Sequence, residues 1–246
     1  MKFNILTLFP GLIFPFLDEG VIGRSIKKGI LSVNVIDIRS FARGKHKITD
    51  DRPFGGGSGM VMKPGPIYRA LKSIDKCASS TSILLSPQGI KFDQAMAWKL
   101  AEREQITLIC GRYEGVDERI ISNHVDMELS VGDYVLSGGE LGALIVFDAV
   151  SRLVPGVLGC DNSNKEDSFE DGLLEHPQYT RPRVFNGEEV PEVLLSGDHE
   201  KIRRWRREQA LLRTGFKRPD LLEKAALTEE DRELLSTLKK QDTLKS

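Results

Sequence analysis

The sequence predicts an α/β domain built on a mostly parallel sheet, followed by a small helical domain. Three observations point there. From the N-terminus to about residue 153, strand-like runs alternate with helical ones, the pattern of a βαβ chain. The strand-like runs, such as Ile106–Cys110, are continuously apolar rather than alternating, which fits strands covered on both faces. Beyond about Gly172 no strand-like run is expected, and helical patterns take over.

Phe3–Phe9 and Leu31–Ile38 are rich in β-branched and aromatic residues and predict the first strands, with a helix over Val21–Lys28 between them. Pro66–Ile74 predicts a helix and Ser82–Ser86 a buried strand. Gln94–Arg103 predicts a helix opened by Asp93 as N-cap, because a short carboxylate there accepts from the otherwise unpaired first amides. The strand Ile106–Cys110 follows, then a short helix over Arg119–Ser122 and a strand over Val125–Leu129. The last helix of this region runs from Glu140 to Leu153, closed by Pro155 and Gly156, with Leu141, Leu144, Ile145, Asp148, Ala149 and Arg152 near helical spacing.

Composition then shifts. Cys160 to Asp171 holds five acids, one lysine, two asparagines and two serines, which reads as a mobile linker. After it, helices are expected over His199–Thr214, Pro219–Lys224 and Glu229–Lys239, started by Asp198, Pro219 and Thr228. In the first of these, Ile202, Trp205 and Leu212 can face a core. The expected domains are therefore 1–160, a linker over 161–172, and 173–246. A chain of 246 residues has room for one medium and one small domain.

Net charge is −1, so the whole molecule is no basic nucleic-acid binder, and any RNA contact must be local. Lys201–Arg218 supplies such a locality, with eight basic residues against one acid, where a phosphate backbone could dock. Cys77, Cys110 and Cys160 stand far apart with no CxxC, so neither a disulfide framework nor a cysteine zinc site is indicated, and a reducing cytoplasm is the expected compartment. Met1–Pro10 is too briefly apolar for a signal peptide, and Leu141–Val150 is too short to span a bilayer.

Glycine-rich turns punctuate the α/β region. Arg52–Met60 reads RPFGGGSGM; no Lys-Ser/Thr pair follows its glycines, so it is no Walker A loop, and it is no GxGxxG either. It can be a flexible surface loop, or a bare backbone that lets a ligand or nucleic acid approach closely. Three further turns are Ser86–Gly89 (SPQG), Cys110–Gly115 (CGRYEG) and Gly132–Glu140 (GDYVLSGGE). The first two follow apolar strands directly, and ligands of open α/β sheets sit beyond the carboxyl ends of strands, so the three turns could converge on one pocket. Arg152 at a helix end and Asp167 within Glu166–Phe169 straddle the domain junction; an exposed linker Asp taken alone is ordinarily just solvated.

Asp51–Met60, Leu85–Gly89, Cys110–Arg119, Gly132–Glu140, Glu166–Phe169 and Tyr179–Pro182, together and in this order, resemble the bacterial tRNA (guanine-37-N1)-methyltransferases of the SPOUT superfamily, over Phe3 to about Glu233. The resemblance implies a deep trefoil knot in the N-terminal domain and a homodimer whose active sites are shared between subunits. It implies S-adenosylmethionine as methyl donor, held by Pro87, Gly111, Val131, Gly132, Asp133, Tyr134, Val135 and Leu136, with Gly138 and Gly139 near by. The reaction it implies is methylation of N1 of guanosine 37, beside the anticodon, which maintains the reading frame in translation. Guanine N1 keeps a proton and needs a general base, a role that falls by resemblance to Asp167. Charge then shifts to O6, where the resemblance places Arg152. Glu114 matches a position that helps hold the target base. The helical domain would grip the tRNA anticodon arm through Arg203, Arg204, Arg206 and Arg207, with Lys217 and Arg218 beside them.

Two points stand apart from the motifs. His176, within His176-Pro-Gln, is assigned no catalytic role, and although the resemblance associates the activity with magnesium, the sequence shows no clear acidic metal cage. Three other functions compete. A SPOUT enzyme with another target nucleotide is disfavoured because 2′-hydroxyl methylation leaves no O6 charge for Arg152. A non-catalytic RNA-binding module would not need three glycine turns around a pocket. A nucleotide hydrolase lacks its lysine after Gly59.

Overall fold

The computed structural model describes residues 1–159 and 167–243, the last six of them by backbone only. The chain divides into two units, Met1–Asp161 and Asn162–Ser246. The first is built on five strands, β1 (Lys2–Thr7), β2 (Ser32–Asp37), β5 (Ser80–Lys91), β6 (Gln105–Cys110) and β7 (Met127–Ser130), in the order β2-β1-β6-β5-β7. Every pairing in this sheet is parallel, as the continuous apolar runs predict.

Period-two alternation sends side chains to both faces of the sheet. Phe3 and Ile5 of β1, Ile83 and Leu85 of β5, and Ile106 and Leu108 of β6 enter one apolar cluster. It is covered by α1 (Phe14–Asp18), α2 (Gly20–Lys27), α4 (Gln94–Ala101) and α6 (Glu140–Ser151). Phe3 meets Phe147 of α6 edge to face, ring centroids 4.7 Å apart. Leu6, Leu84 and Ile109 point to the other face, against α3 (Pro64–Lys72) and α5 (Glu118–His124). Asp93 caps α4 as expected, accepting from the Met96 amide at 2.8 Å.

Two features escape the sequence pattern. A short hairpin, β3 (Asp50–Asp51) with β4 (Val61–Met62), carries the RPFGGGSGM loop. In α6 the stripe at 141, 144, 145 and 148 is not the buried one: Ala143, Val146, Phe147 and Val150 are fully buried, while Leu141 is 59% and Ile145 45% exposed. The helix is apolar on nearly every side, so periodicity could not fix which face turns inward.

In the second unit the expectation of no strands is corrected. Val184–Phe185 (β8) and Glu188–Glu189 (β9) form an antiparallel hairpin. Asn186 (φ 53°) and Gly187 (φ 86°) make its turn, an Asn-Gly pair that suits a two-residue hairpin loop. The strands are two residues each and one is Glu-Glu, so apolar periodicity carries no trace of them. The helices are α7 (His199–Lys217), α8 (Pro219–Leu222) and α9 (Glu229–Thr243). Asp198 caps α7 through the Lys201 amide at 3.1 Å. The deepest α7 side chains are Leu211 and Thr214, whereas Ile202, Trp205 and Leu212 are half-buried. Residues 161–166 of the expected linker lie outside the described residues. Asp167–Gly172 forms a turn in this unit, with the Glu170 amide donating to the Asp167 carbonyl at 3.3 Å and the Phe169 amide to the Leu173 carbonyl at 2.7 Å.

Arg207 organises this unit. Its Nε and Nη2 each donate to the buried Asp231 carboxylate at 2.9 Å, and it also bonds Asp171. Thr228 and Asp231 bond reciprocally at the start of α9, the Thr228 amide reaching the carboxylate at 2.9 Å. The Arg207 guanidinium, aided by Thr228, holds the Asp231 carboxyl down to about 2. A depressed carboxyl pKa stabilises the fold above its ordinary value of 3.8, and that stability is lost as pH falls toward about 2. The contribution is roughly 1–2 kcal/mol after allowance for screening. The thermal stability advantage of wild type over Asp231→Asn should therefore shrink between about pH 4 and pH 2. An advantage constant across that window would show that the pair is not the source.

Candidate active site

Three adjacent strands, β6, β5 and β7, end around one cleft of about 440 Å³. It lies beyond their carboxyl ends, where open α/β sheets place ligands. Each wall comes from one of the glycine turns. Residues 86–89 bulge out of β5: its pairing with β7 breaks after Leu85 and resumes at Ile90. Gly89 is needed there, because a Cβ would stand 2.4 Å from the backbone of Glu128 and Leu129. After β6, residues 111–116 form the second wall, and after β7, residues 131, 132 and 134–139 the third.

The third turn docks back onto the second. The Gly139 amide donates to the Gly111 carbonyl at 2.9 Å, and Arg112 Nη1 donates to the Ser137 carbonyl at 3.1 Å. A Cβ on Gly139 would lie 2.8 Å from Cys110 Cα, so a side chain there would push the two turns apart. Within the third turn, the Ser130 hydroxyl donates to the Gly132 carbonyl at 3.0 Å, and the Tyr134 hydroxyl donates to the Val131 carbonyl at 3.2 Å.

Beneath the docked turns lies a charged group that sequence reasoning missed. Glu140, the first residue of α6, is 1% exposed. Its Oε2 accepts from Arg112 Nε at 3.0 Å and its Oε1 from the Thr7 hydroxyl at 2.7 Å. The Thr7 oxygen in turn accepts from the Phe9 amide at 2.8 Å, and the Arg112 guanidinium sits 4.5 Å over the Phe9 ring. The helix N-terminus adds a favourable field for the carboxylate. Burial, and after it the Glu140 charge, pushes the Cys110 thiol well up. Cys110 therefore stays protonated and is unsuited to act as a nucleophile.

The sequence-predicted residues fall into three groups. Pro87, Gly111, Val131, Gly132, Tyr134, Val135, Leu136, Gly138 and Gly139 all line the cleft, as does Glu114. Asp133 does not; its side chain is 93% exposed and stands 3.9 Å from Lys91 Nζ. Glu114 ties the cleft to the RPFGGGSGM loop, its amide donating to the Met60 carbonyl at 3.0 Å while Gly59 packs against its side chain. Arg152 caps the far end of α6, about 20 Å from Gly139 at 1.5 Å per residue. Asp167 belongs to the second unit, where it opens the turn that runs to Gly172. On α7, Arg203 is paired with Glu200 at 2.6 Å, Arg204 is exposed, Arg206 is half-buried, and Arg207 is committed to Asp231 and Asp171.

Among the described residues no three His, Cys, Asp or Glu side chains gather where they could hold a metal ion. Nor, among them, is any helix long and apolar enough to cross a membrane.

A family model described as tRNA (Guanine-1)-methyltransferase TrmD matches residues 1–224. Among similar proteins, one from Moorella thermoacetica is 53% identical over 245 residues, covering 98% of each chain. Others from Dictyoglomus turgidum (52% over 241 residues) and Staphylococcus haemolyticus (51% over 241 residues) likewise cover 98% of each chain. All three relatives are named tRNA (guanine-N(1)-)-methyltransferase.

Proposed function

Because the chain belongs to the tRNA (Guanine-1)-methyltransferase family, we propose that it methylates N1 of guanosine 37 in tRNA, with S-adenosylmethionine as donor. The observation that carries this reading is the convergence of the three glycine turns on one cleft of about 440 Å³, a size suited to a compact cofactor. The residues fit that ligand. Gly111, Gly138 and Gly139 line the cleft with backbone, Tyr134 and Leu136 offer apolar cover, and the carboxylates of Glu114, Glu118 and Glu128 suit a cationic molecule. The trefoil knot belongs to this reading through the family alone.

When bound, S-adenosylmethionine supplies an electrophilic methyl group on a positively charged sulfur. Asp167 accepts the N1 proton of guanine as the new N–C bond forms and the S–C bond breaks. Arg152 faces the negative charge that gathers on O6 and stabilises it. Glu114, on the cleft wall, helps hold the base. Arg203, Arg204 and Arg206 of α7 contact phosphates of the anticodon arm, while Arg207 keeps the helix in place through Asp231. Arg152 stands a full helix away from Gly139, and Leu141 and Ile145 lie exposed along the same helix. Both facts support a homodimer in which a second copy completes each site. The compartment proposed is the cytoplasm, where tRNA and reduced thiols coexist.

The test is methyl transfer from labelled S-adenosylmethionine to an unmodified tRNA transcript with guanosines at positions 36 and 37. The expected product is N1-methylguanosine at position 37 alone. Label at another atom or nucleotide would replace the target, and no transfer to any tRNA would overturn the reading.

A further inference from the structure

One strongly basic stretch lies outside both the cleft and α7. The chain between β2 and β3 carries Arg43, Lys45, His46 and Lys47, all exposed, with no acid between Arg43 and Thr49. It leads directly into the β3–β4 hairpin, and the Lys63 amide donates to the Thr49 carbonyl at 2.8 Å, so the stretch and the hairpin are bound together. The hairpin loop adds Arg52, exposed, and Phe54, whose ring is fully exposed and is followed by Gly55-Gly56-Gly57. The acids within the segment do not cancel its charge: Asp51 is held by Lys63 at 2.9 Å, leaving Asp50 against four basic side chains.

This surface is fixed at the rim of the cleft. Besides the Met60–Glu114 bond, the Met62 amide donates to the Gly115 carbonyl at 2.9 Å and the Asp117 amide to the Met62 carbonyl at 3.2 Å. The hairpin is therefore continuous with the 111–116 wall. A single exposed aromatic amid cations is too small for an apolar protein-docking patch. It matches what single-stranded nucleic acid needs, which is cations spaced along a backbone and a ring on which a base can stack.

We propose that residues 43–54 form a second RNA-contacting surface, on the first unit. Arg43, Lys45, Lys47 and Arg52 hold phosphates of the strand entering the cleft, and Phe54 stacks on one of its unpaired bases. The proposal rests on the tRNA reading and gives the RNA a foothold at the rim of the cofactor cleft, on residues other than those of α7.

The experiment measures tRNA affinity of the full chain against salt concentration, for wild type and for Arg43→Gln/Lys45→Gln/Lys47→Gln, with S-adenosylmethionine binding by calorimetry as a control. The triple variant should flatten the log–log salt slope by about 2–3, at roughly 0.7–0.9 for each phosphate no longer neutralised. Phe54→Ala should keep the wild-type salt slope and lower kcat/KM for tRNA by roughly 5- to 100-fold, the range of one missing base stack. Cofactor binding should match wild type in both. If wild type binds and methylates tRNA while both variants match it, this surface is overturned and the functional reading stands. If wild type neither binds nor methylates tRNA, the functional reading falls and this surface with it.

Discussion

Replacing Asp167 by alanine should lower the rate of methyl transfer by about 10²- to 10⁴-fold, the usual worth of a positioned general base. Affinity for tRNA and for S-adenosylmethionine should change little, because the carboxylate acts on the N1 proton and holds no phosphate. Arg152→Ala should cost about 10²- to 10³-fold by the same logic applied to O6. The two losses should not multiply in the double variant if both groups serve one transition state. An Asp167→Ala enzyme as fast as wild type would remove the residue from the mechanism while leaving the reaction in place. Light scattering on the same samples reports assembly, and a fully active monomer would exclude the shared site.

Asp167 drew its role from a resemblance, whereas other parts of the molecule were legible in the residues themselves. The sheet was legible because a strand buried on both faces must be apolar at every position, and Ile106–Cys110 carries that mark in five consecutive residues. Caps were legible for a local reason: Asp93 and Asp198 each bond an amide three residues on. The cleft was legible as three separate turns, since glycine records a close backbone approach even when the approaching chain is unknown. What approaches was not. Glu140 meets Arg112 across 28 residues and Thr7 across 133, and nothing in the local pattern pairs them. Arg207 shows the converse. In sequence it is one cation in a basic run, and only the fold reveals that Asp171 and Asp231 already occupy it.

The Arg112–Glu140–Thr7 group carries the second large effect. Glu140→Gln leaves shape almost unchanged and removes the buried charge, so Arg112 would keep a half-buried guanidinium beside a neutral amide. Breaking one side of a buried, hydrogen-bonded pair costs about 3–5 kcal/mol. For a domain of this size that is a fall in Tm on the order of 10 °C. The damage should also be directional. Arg112 is the strut between the two turns, bonded to Glu140 on one side and to the Ser137 carbonyl on the other. Loosening it frees 137–139 from 111–112 and opens the cleft before the sheet melts. S-adenosylmethionine affinity should therefore fall at temperatures where circular dichroism still reports a folded protein. Thr7→Val, which deletes only the hydroxyl and leaves the ion pair, should cost about 1–3 kcal/mol and spare most of that affinity. If Glu140→Gln instead binds cofactor and melts like wild type, the buried pair contributes neither stability nor cleft geometry, and the glycine contacts at Gly89 and Gly139 must hold the turns alone.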